Sequence, residues 1–281
     1  MIDLHIHSKI SHDGENSILE YCQKAQQIGL KEIGFCEHLD LFPLDPHFDQ
    51  HNYEQYLNEI QTARKEFPQL NIRMGVEVTY LPAIKKDIQK FLEDKEYDFV
   101  LGAIHLVEDG SFTVSEPEPA RDYFSFKDPK ACYEHYFELV LDAVKSGLFD
   151  GIAHLDLINR YGLNYFPDWE WRLFYGLLRR IFEGMMKRQM VLEVNTGGWR
   201  QLPSRPYPEP EVLKLYRELG GELITIGSDA HSLKELGFGF KKAIAILCEL
   251  GFQSLASFEK RFPISIPIKS NNSPKTFMQR R

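Results

Sequence analysis

Cysteine is scarce in this sequence of 281 residues, and the spacing of its cysteines argues against two kinds of site. The four cysteines are Cys22, Cys36, Cys132 and Cys248. They lie far apart and form no CxxC pair, so neither a thiolate zinc site nor a disulfide framework is indicated. We expect them to behave as small buried hydrophobic residues.

Long apolar runs, clustered positive charge and nucleotide-binding motifs are also lacking. No hydrophobic stretch approaches the roughly 18 residues of a membrane-spanning helix, and no signal segment precedes Asp3. We therefore expect a cytosolic protein without membrane contact. The net charge of −8 argues against a nucleic-acid partner, because phosphate backbones require clustered Lys and Arg. No GxGxxG motif follows a strand, and no Walker P-loop is found.

Predicted strands and helices alternate along the chain, which contains 43% hydrophobic and 26% charged residues. The predicted strands cover residues 2–6, 31–38, 71–78, 97–105, 149–154, 190–195 and 222–227. Apolar residues at helical spacing predict helices over residues 16–30, 53–67, 129–146, 169–187, 211–219 and 239–250. Seven strand-then-helix units without a linker predict one closed or nearly closed parallel α/β barrel over residues 1–281. A doubly wound open sheet is the alternative fold.

Two segments have no regular pattern. Residues 107–127 are polar, and we interpret them as an ordered excursion or a lid. Residues 263–281 are rich in Pro, Ser, Asn and Lys, which predicts a loosely packed C-terminal tail.

Imidazole and carboxylate side chains recur where the predicted strands end. His5 and His7 form a His-x-His pair on the first strand, and the alternation of side chains puts both on the same face. The C-terminal ends of barrel strands share one rim, where sites are built, so we expect these side chains to converge. The nine candidate donors are His5, His7, Asp13, His38, Glu77, His105, His154, Asp229 and His231. Such a set without thiolates suits Zn, Mn or Fe(II).

The number of donors predicts more than one ion. A tetrahedral zinc needs three or four protein ligands, so nine donors fit two or three ions with a carboxylate such as Glu77 bridging two of them. Two ions about 4 Å apart that share a hydroxide suit in-line attack on phosphorus. Three other histidines are interpreted as structural: His47 and His51 in a polar loop and His135 in mid-helix. A catalytically inactive, metal-stabilised scaffold is the alternative from another functional class.

Six short motifs carry a resemblance to a known family. DLHIHS, CEH, GVE, GAIH, AHLD and GSDAH occur in the order typical of the polymerase-and-histidinol-phosphatase (PHP) superfamily of metal-dependent phosphoesterases. Over nearly its whole length, including GLFDGIAHLDL and EVNTGGWR, the chain resembles the monofunctional histidinol-phosphate phosphatases of that superfamily. The resemblance implies a single-domain, distorted (β/α)7 TIM-like barrel with a trinuclear metal site. It also implies hydrolysis of L-histidinol phosphate in histidine biosynthesis.

The resemblance further implies one ligand group for each ion. The groups are His5, His7, Glu77 and Asp229 for the first ion, Glu77, His105 and His154 for the second, and Asp13, His38 and His231 for the third. Relatives often have His before Gly or Ala where this chain has Asp13 before Gly14, so His12 is the alternative to Asp13. The second strand also ends in CEH rather than the usual TDH, which matters little if His38 alone binds metal.

The implied reaction is in-line attack of a hydroxide that bridges ions held by Glu77 and the other ligands. Asp156 or His231 is the candidate proton donor to the departing alcohol. The candidates for bidentate contacts to phosphate are Arg160, Arg200 and Arg205. An acidic residue of segment 107–122 would bind the substrate amino group. The alternative substrates are a phosphotyrosine protein, a sugar phosphate or a nucleic acid, and we expect a monomer or a homodimer.

Overall fold

Seven parallel strands form one sheet in this computed structural model, which describes residues 1–268. In sheet order they are β1 (Ile2–Ile6), β2 (Glu32–Leu39), β3 (Asn71–Thr79), β4 (Phe99–Ala103), β7 (Gly151–Ile152), β8 (Val191–Asn195) and β9 (Ile224–Gly227). Two short antiparallel pairs are β5 (Leu106–Val107) with β6 (Phe112–Thr113) and β10 (Ser254–Glu259) with β11 (Phe262–Pro267).

The sheet nearly closes on itself between β1 and the residues that follow β9. Asp229 N–H donates to His5 O over 2.8 Å, and His7 N–H donates to Ala230 O over 2.9 Å. The prediction of a distorted, nearly closed (β/α)7 barrel in a single α/β domain is therefore confirmed. The open, doubly wound alternative is wrong.

Helices connect the strands and cover the outside of the barrel. They are α1 (Ile18–Ile28), α2 (Tyr53–Glu66), α3 (Lys85–Glu93), α4 (Pro117–Phe126), α5 (Pro129–Ser146), α6 (Asn159–Gly162), α7 (Tyr175–Lys187), α8 (Pro210–Glu218) and α9 (Phe240–Glu249). At the start of α1, the Ser17 hydroxyl accepts from Glu20 N–H, and the Glu20 carboxylate accepts from Ser17 N–H in a capping box. Gly29 ends α1 in the left-handed conformation, with φ 79°. None of the described helices is both long and apolar enough to cross a membrane.

The strands are buried on both faces, as is typical of parallel sheets covered by helices. Every residue of β1, β4 and β8 is buried. Their apolar side chains join those of the helices in one contiguous core within residues 1–268. Polar side chains are buried among them at the C-terminal ends of the strands, and these need partners of their own.

Three local features differ from the prediction. Helix α3 was not predicted; it is a short, lysine-rich helix that buries mainly Ile88 and Leu92. Strand β7 has two residues rather than the six of segment 149–154, because the Asp150 carboxylate takes the Val100 N–H at 2.8 Å and the chain turns at His154. Segment 107–127 contains part of the β5–β6 hairpin and all of α4.

The predicted loose tail requires a correction in its first part. Residues 263–267 lie in β11, which pairs with β10 along its whole length. Two residues with positive φ, Lys260 and Arg261, make the tight turn between the strands. Ile268 N–H donates across the pair to Gln253 O, so the backbone N–H groups of alternate residues point towards β10. The backbone nitrogens of the prolines at 263 and 267 lie at the positions between them and point to the outer edge. Residues 269–281 of that prediction lie outside the described residues.

Candidate metal centre

Glu77 lies at the centre of a cluster of imidazoles at the C-terminal end of the barrel. Its Oε1 faces His154 Nε2 at 2.7 Å, His5 Nε2 at 3.5 Å and His105 Nε2 at 3.7 Å. Its Oε2 faces His38 Nδ1 at 3.1 Å and His7 Nε2 at 3.7 Å. The two oxygens of one carboxylate therefore face different imidazoles, which is the geometry that a bridging ligand needs.

All nine predicted donors are brought together, in four groups whose ligand atoms lie within 4.8 Å of one another. The groups are His7, Asp13, His38 and His231; His5, His7 and Asp229; His5, Glu77 and His154; and His38, Glu77 and His105. The first group contains the set that the resemblance implies for the third ion, and the second group contains the set implied for the first ion except Glu77. His154 and His105, expected together at one ion, fall in separate groups that share Glu77.

Asp13, rather than His12, belongs to the group at the rim. Asp13 Oδ2 lies 3.1 Å from His231 Nε2 and 3.4 Å from His38 Nε2. His12 belongs to none of the four groups, and its ring stacks on His47 with the ring centroids 3.5 Å apart. His47 also lines the cavity over the cluster, so its placement differs from the structural interpretation made from the sequence.

Two of the candidate ligands have a strained backbone. His154 has φ 27° and Asp229 has φ 55°, a region that costs residues other than glycine on the order of 1–3 kcal/mol. His154 N–H donates to Glu193 Oε2 over 2.7 Å, and Asp229 N–H is held by the barrel closure. Such strain persists where the surroundings fix the conformation, and it aims both side chains at the cluster.

The charges of the cluster are strongly coupled. Burial alone would raise the pKa of Glu77, but His5, His105 and His154 lower it well below its usual range. Burial alone would lower the pKa of His5, but the Glu193, Glu77 and Asp229 carboxylates raise it well above its usual range. Burial and the neighbouring His38 and His231 lower the pKa of His7 to about 3. The carboxylates of the cluster therefore favour a positive charge among the imidazoles.

The contact between His5 and His7 tests whether metal ions fit this donor set. His5 Nδ1 donates to Glu193 Oε1 over 2.6 Å, which leaves Nε2 directed at the cluster. That Nε2 lies 3.0 Å from His7 Nε2. Two lone pairs at this distance repel one another unless a proton or a metal cation lies between them, so the donor set fits cations.

Glu193 was not among the predicted donors, and the structure gives it an orienting role. It is fully buried and binds the far side of the His5 ring, an arrangement common behind metal-ligating histidines. Asn195 Nδ2 donates to Glu193 Oε2 over 3.2 Å and also to Asp229 Oδ2 over 3.3 Å. The sequence signal that could have identified Glu193 is its position on β8, a strand that ends at the same rim.

A cavity of about 400 Å³ opens over the cluster. Segment 107–127 forms one wall with Phe112 and Glu116, and the loop after β2 forms another with Phe42. Gly110 brings the two walls together: a Cβ there would lie 2.3 Å from the Phe42 ring. Of the predicted phosphate contacts, Arg160 lines the cavity.

Arg200 and Arg205 require corrections, because neither is among the residues that line the cavity. Arg200 donates to Ser228 O over 2.9 Å and to Asp229 O over 2.8 Å, and its Nε lies 3.2 Å from Glu235 Oε1. Arg205 forms an ion pair with Glu209. Arg200 therefore positions the strained turn at Asp229 rather than facing the cavity.

Of the two proton-donor candidates, His231 lines the cavity and Asp156 does not. Asp156 is 1% exposed and accepts from Asn159 Nδ2 over 3.0 Å. Burial, together with Glu209, raises the pKa of Asp156 to about 7. His51 makes structural contacts, as predicted: its ring bonds to His38 O and to the Tyr97 hydroxyl, each over 2.9 Å.

Comparisons with known proteins agree with this geometry. The family model described as "PHP domain" matches residues 3–197. A Deinococcus radiodurans protein named "Probable histidinol-phosphatase" is 30% identical over 258 residues, which cover 89% of this chain and 94% of that protein. A Lactococcus lactis "Histidinol-phosphatase" is 27% identical, over 92% of this chain and 94% of that protein.

A solved structure is similar over nearly the whole chain. It is the crystal structure of histidinol phosphate phosphatase from Lactococcus lactis in complex with zinc, L-histidinol and phosphate. The TM-score is 0.82 with 25% sequence identity, covering 94% of this chain and 98% of that one.

Proposed function

Because this chain belongs to the PHP domain family, we propose that it is a metal-dependent phosphomonoesterase that hydrolyses L-histidinol phosphate to L-histidinol and phosphate. The observation that carries the proposal is the cluster of nine imidazole and carboxylate donors around Glu77. The substrate follows from relatives named histidinol-phosphatase and from the similar structure that holds L-histidinol, phosphate and zinc. The enzyme would act in histidine biosynthesis.

The donor groups would hold two or three divalent ions, and Zn, Mn and Fe(II) all suit imidazole and carboxylate ligands. When bound, the ions would lower the pKa of the attacking water and neutralise charge on the phosphoryl and departing oxygens. Glu77 would link the groups, since each of its oxygens faces a different set of imidazoles. Asp13, His38 and His231 would hold the ion nearest the rim.

The walls of the cavity offer contacts for the rest of the substrate. Arg160 is the guanidinium that we assign to the phosphoryl group, because a planar fork suits two oxygens at once. Glu116, in the predicted acidic segment, is the carboxylate that we assign to the substrate ammonium group. Phe42 and Phe112 provide apolar surface for the imidazole ring of the substrate.

The departing alcohol needs a proton, and we assign its donation to His231, which lines the cavity. Its Nδ1 lies 3.1 Å from Asp229 O and its Nε2 faces Asp13, so the ring can donate only in a centre of two ions that leaves the rim group empty. In a centre of three ions, His231 would hold the rim ion, and that ion would neutralise the departing oxygen instead. Closure of segment 107–127, the cytosolic location and the monomeric or homodimeric state remain predictions.

Phosphate release by the purified full chain tests the proposal. With Zn, Mn or Fe(II) added, release from L-histidinol phosphate should be far faster than from nucleotides, a sugar phosphate, a phosphotyrosine peptide or p-nitrophenyl phosphate. Equal rates on all of them would overturn the substrate assignment while leaving the phosphoesterase class intact. Release from none of them would favour the inactive scaffold, and fewer than two ions per chain at saturation would refute a multinuclear centre.

A further inference from the structure

A chain of two hydrogen bonds connects His105 to a carboxylate outside the nine donors. His105 Nδ1 lies 2.8 Å from Thr79 Oγ1, and the Thr79 hydroxyl donates to Asp40 Oδ1 over 2.6 Å. Thr79 is 1% exposed and Asp40 is 9% exposed, so water competes little for either bond. The three residues stand at the ends of the neighbouring strands β2, β3 and β4.

The chemistry of the three groups fixes the direction of both bonds. An ionised carboxylate has acceptors but no donor, so the Thr79 hydroxyl must give its single proton to Asp40. The hydroxyl oxygen is then an acceptor towards the imidazole, and His105 must donate from Nδ1. A neutral ring with its proton on Nδ1 has its lone pair on Nε2, the atom 3.7 Å from Glu77 Oε1.

We infer that Asp40 and Thr79 are positioning residues that hold His105 in the one tautomer able to offer Nε2 to a cation. Strand β3 contributes twice to the site, because Glu77 and Thr79 are two residues apart and lie on the same face. Asp40 acts through Thr79, as Glu193 acts directly on His5. Glu193 therefore supports the His5 ring, and Asp40 supports the His105 ring, in each case on the side of the ring that faces away from Glu77.

The tautomer can be measured in the protein before any metal is added. In the metal-free full chain labelled with ¹⁵N-histidine, the His105 signals, identified by their loss in His105→Asn, should show the proton on Nδ1. Thr79→Val keeps the shape of the side chain and removes the hydroxyl, so the ring should become a mixture of tautomers or change to Nε2–H. Thr79→Ser restores the hydroxyl and should restore the original tautomer.

The matched control is Thr225→Val on β9. Thr225 is also 1% exposed, but its hydroxyl has no hydrogen-bond partner among the described residues. The same substitution there should leave the His105 signals and zinc binding unchanged. If Thr79→Val does not fold, Thr79→Ala removes the same hydroxyl without adding an atom.

The metal-binding consequence rests on the proposed function, whereas the tautomer does not. Zinc affinity, measured by competition with a chelating indicator, should fall roughly 10–100-fold in Thr79→Val, which is typical when a partner of a ligating histidine is lost. An unchanged tautomer in Thr79→Val and Thr79→Ala would overturn the inference. Failure of Thr79→Ser to restore the tautomer, or an equal loss of zinc affinity in Thr225→Val, would also overturn it. A tautomer shift in a chain that binds none of Zn, Mn and Fe(II) would contradict the proposed function but not the role of Asp40 and Thr79 in the apoprotein.

Discussion

Ser11 donates its hydroxyl proton to Glu37 Oε2 over 2.6 Å, and this bond ties the loop after β1 to the end of β2. Glu37 is fully buried and also accepts from Ser11 N–H at 3.1 Å and from the hydroxyl of Ser8 at 2.6 Å. The Ser11 oxygen in turn accepts from His38 N–H over 3.0 Å. Glu37 therefore fixes the loop that carries Asp13, although it belongs to none of the four donor groups.

Loss of Glu37 should loosen that loop. We expect Glu37→Ala to lower the free energy of unfolding by about 2–4 kcal/mol, because several hydrogen bonds to a buried charge are lost. Elemental analysis should show about one ion fewer per chain, since Asp13 would no longer be held against His38 and His231. The exposed Glu54 of α2 provides the control, Glu54→Gln, which should change neither quantity. A full set of ions in Glu37→Ala would contradict the role of the loop.

The same loop folds so tightly that Gly14 has no room for a side chain. A Cβ at Gly14 would lie 1.9 Å from Ser8 O, a backbone atom that cannot rotate away. We expect Gly14→Ala to destabilise the protein by about 1–3 kcal/mol, as is typical of overpacking, and to weaken binding of the rim ion. Urea unfolding and metal analysis measure both effects.

Gly176 in α7 offers a matched control for this substitution. An added Cβ there meets nothing within 4 Å, so Gly176→Ala should stabilise the helix by about 0.5–1 kcal/mol. If the two substitutions changed the free energy of unfolding equally, the lost backbone freedom of glycine, rather than the contact with Ser8, would explain the result at Gly14.

Arg200 should affect turnover more than substrate binding. Its guanidinium binds the carbonyls of Ser228 and Asp229, and a lysine cannot reproduce both bonds. We expect Arg200→Lys to lower kcat on L-histidinol phosphate about tenfold or more, with KM changed by less than about threefold. Arg160→Lys provides the contrast, because a residue that binds phosphate from the cavity wall should raise KM. A large rise in KM in Arg200→Lys would instead support the contact to phosphate that the sequence predicts for Arg200.

Glu77 should be indispensable for both the ions and the reaction. We expect Glu77→Ala to abolish phosphate release and to reduce the number of bound ions by at least one, because its two oxygens face different imidazole sets. Steady-state assays and elemental analysis of the same preparation test this. Retained activity would overturn the bridging role.

Strand-end residues could be predicted from the sequence because their placement depends on topology alone. Once the seven strands of the main sheet form a parallel barrel, His5, Glu77 and His154 must meet at one rim. The hydrogen-bond partners of these ligands depend on differences of a few tenths of an ångström in the distances between side chains on different elements. Nothing in the sequence near Thr79 or Glu37 encodes those distances.

The arginines show the same limit. Arg160 and Arg200 both follow barrel strands and both suit phosphate, so the sequence pattern does not separate them. The difference arises because the strained turn at Asp229 leaves two carbonyls that Arg200 satisfies. Similarly, the prolines of segment 263–267 favoured a loose tail, but they face the outer edge of β11 and cost no bond in the β10–β11 pair.

The β10–β11 turn is held by Arg261, whose Nε donates to Asp150 Oδ2 over 2.7 Å. Burial raises the pKa of Asp150 above its usual range, although the bond from Arg261 opposes this. Removal of the guanidinium in Arg261→Met should raise that pKa further. A carboxyl with a raised pKa in the folded state contributes its stability below the pKa of the unfolded chain and loses it as the pH rises through the folded value.

The loss of stability in Arg261→Met should therefore be smaller at pH 5 than at pH 8, where it should reach about 1–3 kcal/mol. Urea unfolding at both pH values, with a chelator present to remove metal linkage, measures the difference. Measured against Asp150→Asn alone, the double variant Asp150→Asn with Arg261→Met should lose the same stability at both pH values, because position 150 then has no carboxyl to titrate. Arg188→Met is the matched control: Arg188 donates to the Lys145 carbonyl over 3.0 Å, so its effect should be the same at both pH values. A pH-independent loss in Arg261→Met would mean that the bond from the Arg261 guanidinium to Leu148 O, rather than its pairing with Asp150, holds the turn against the barrel.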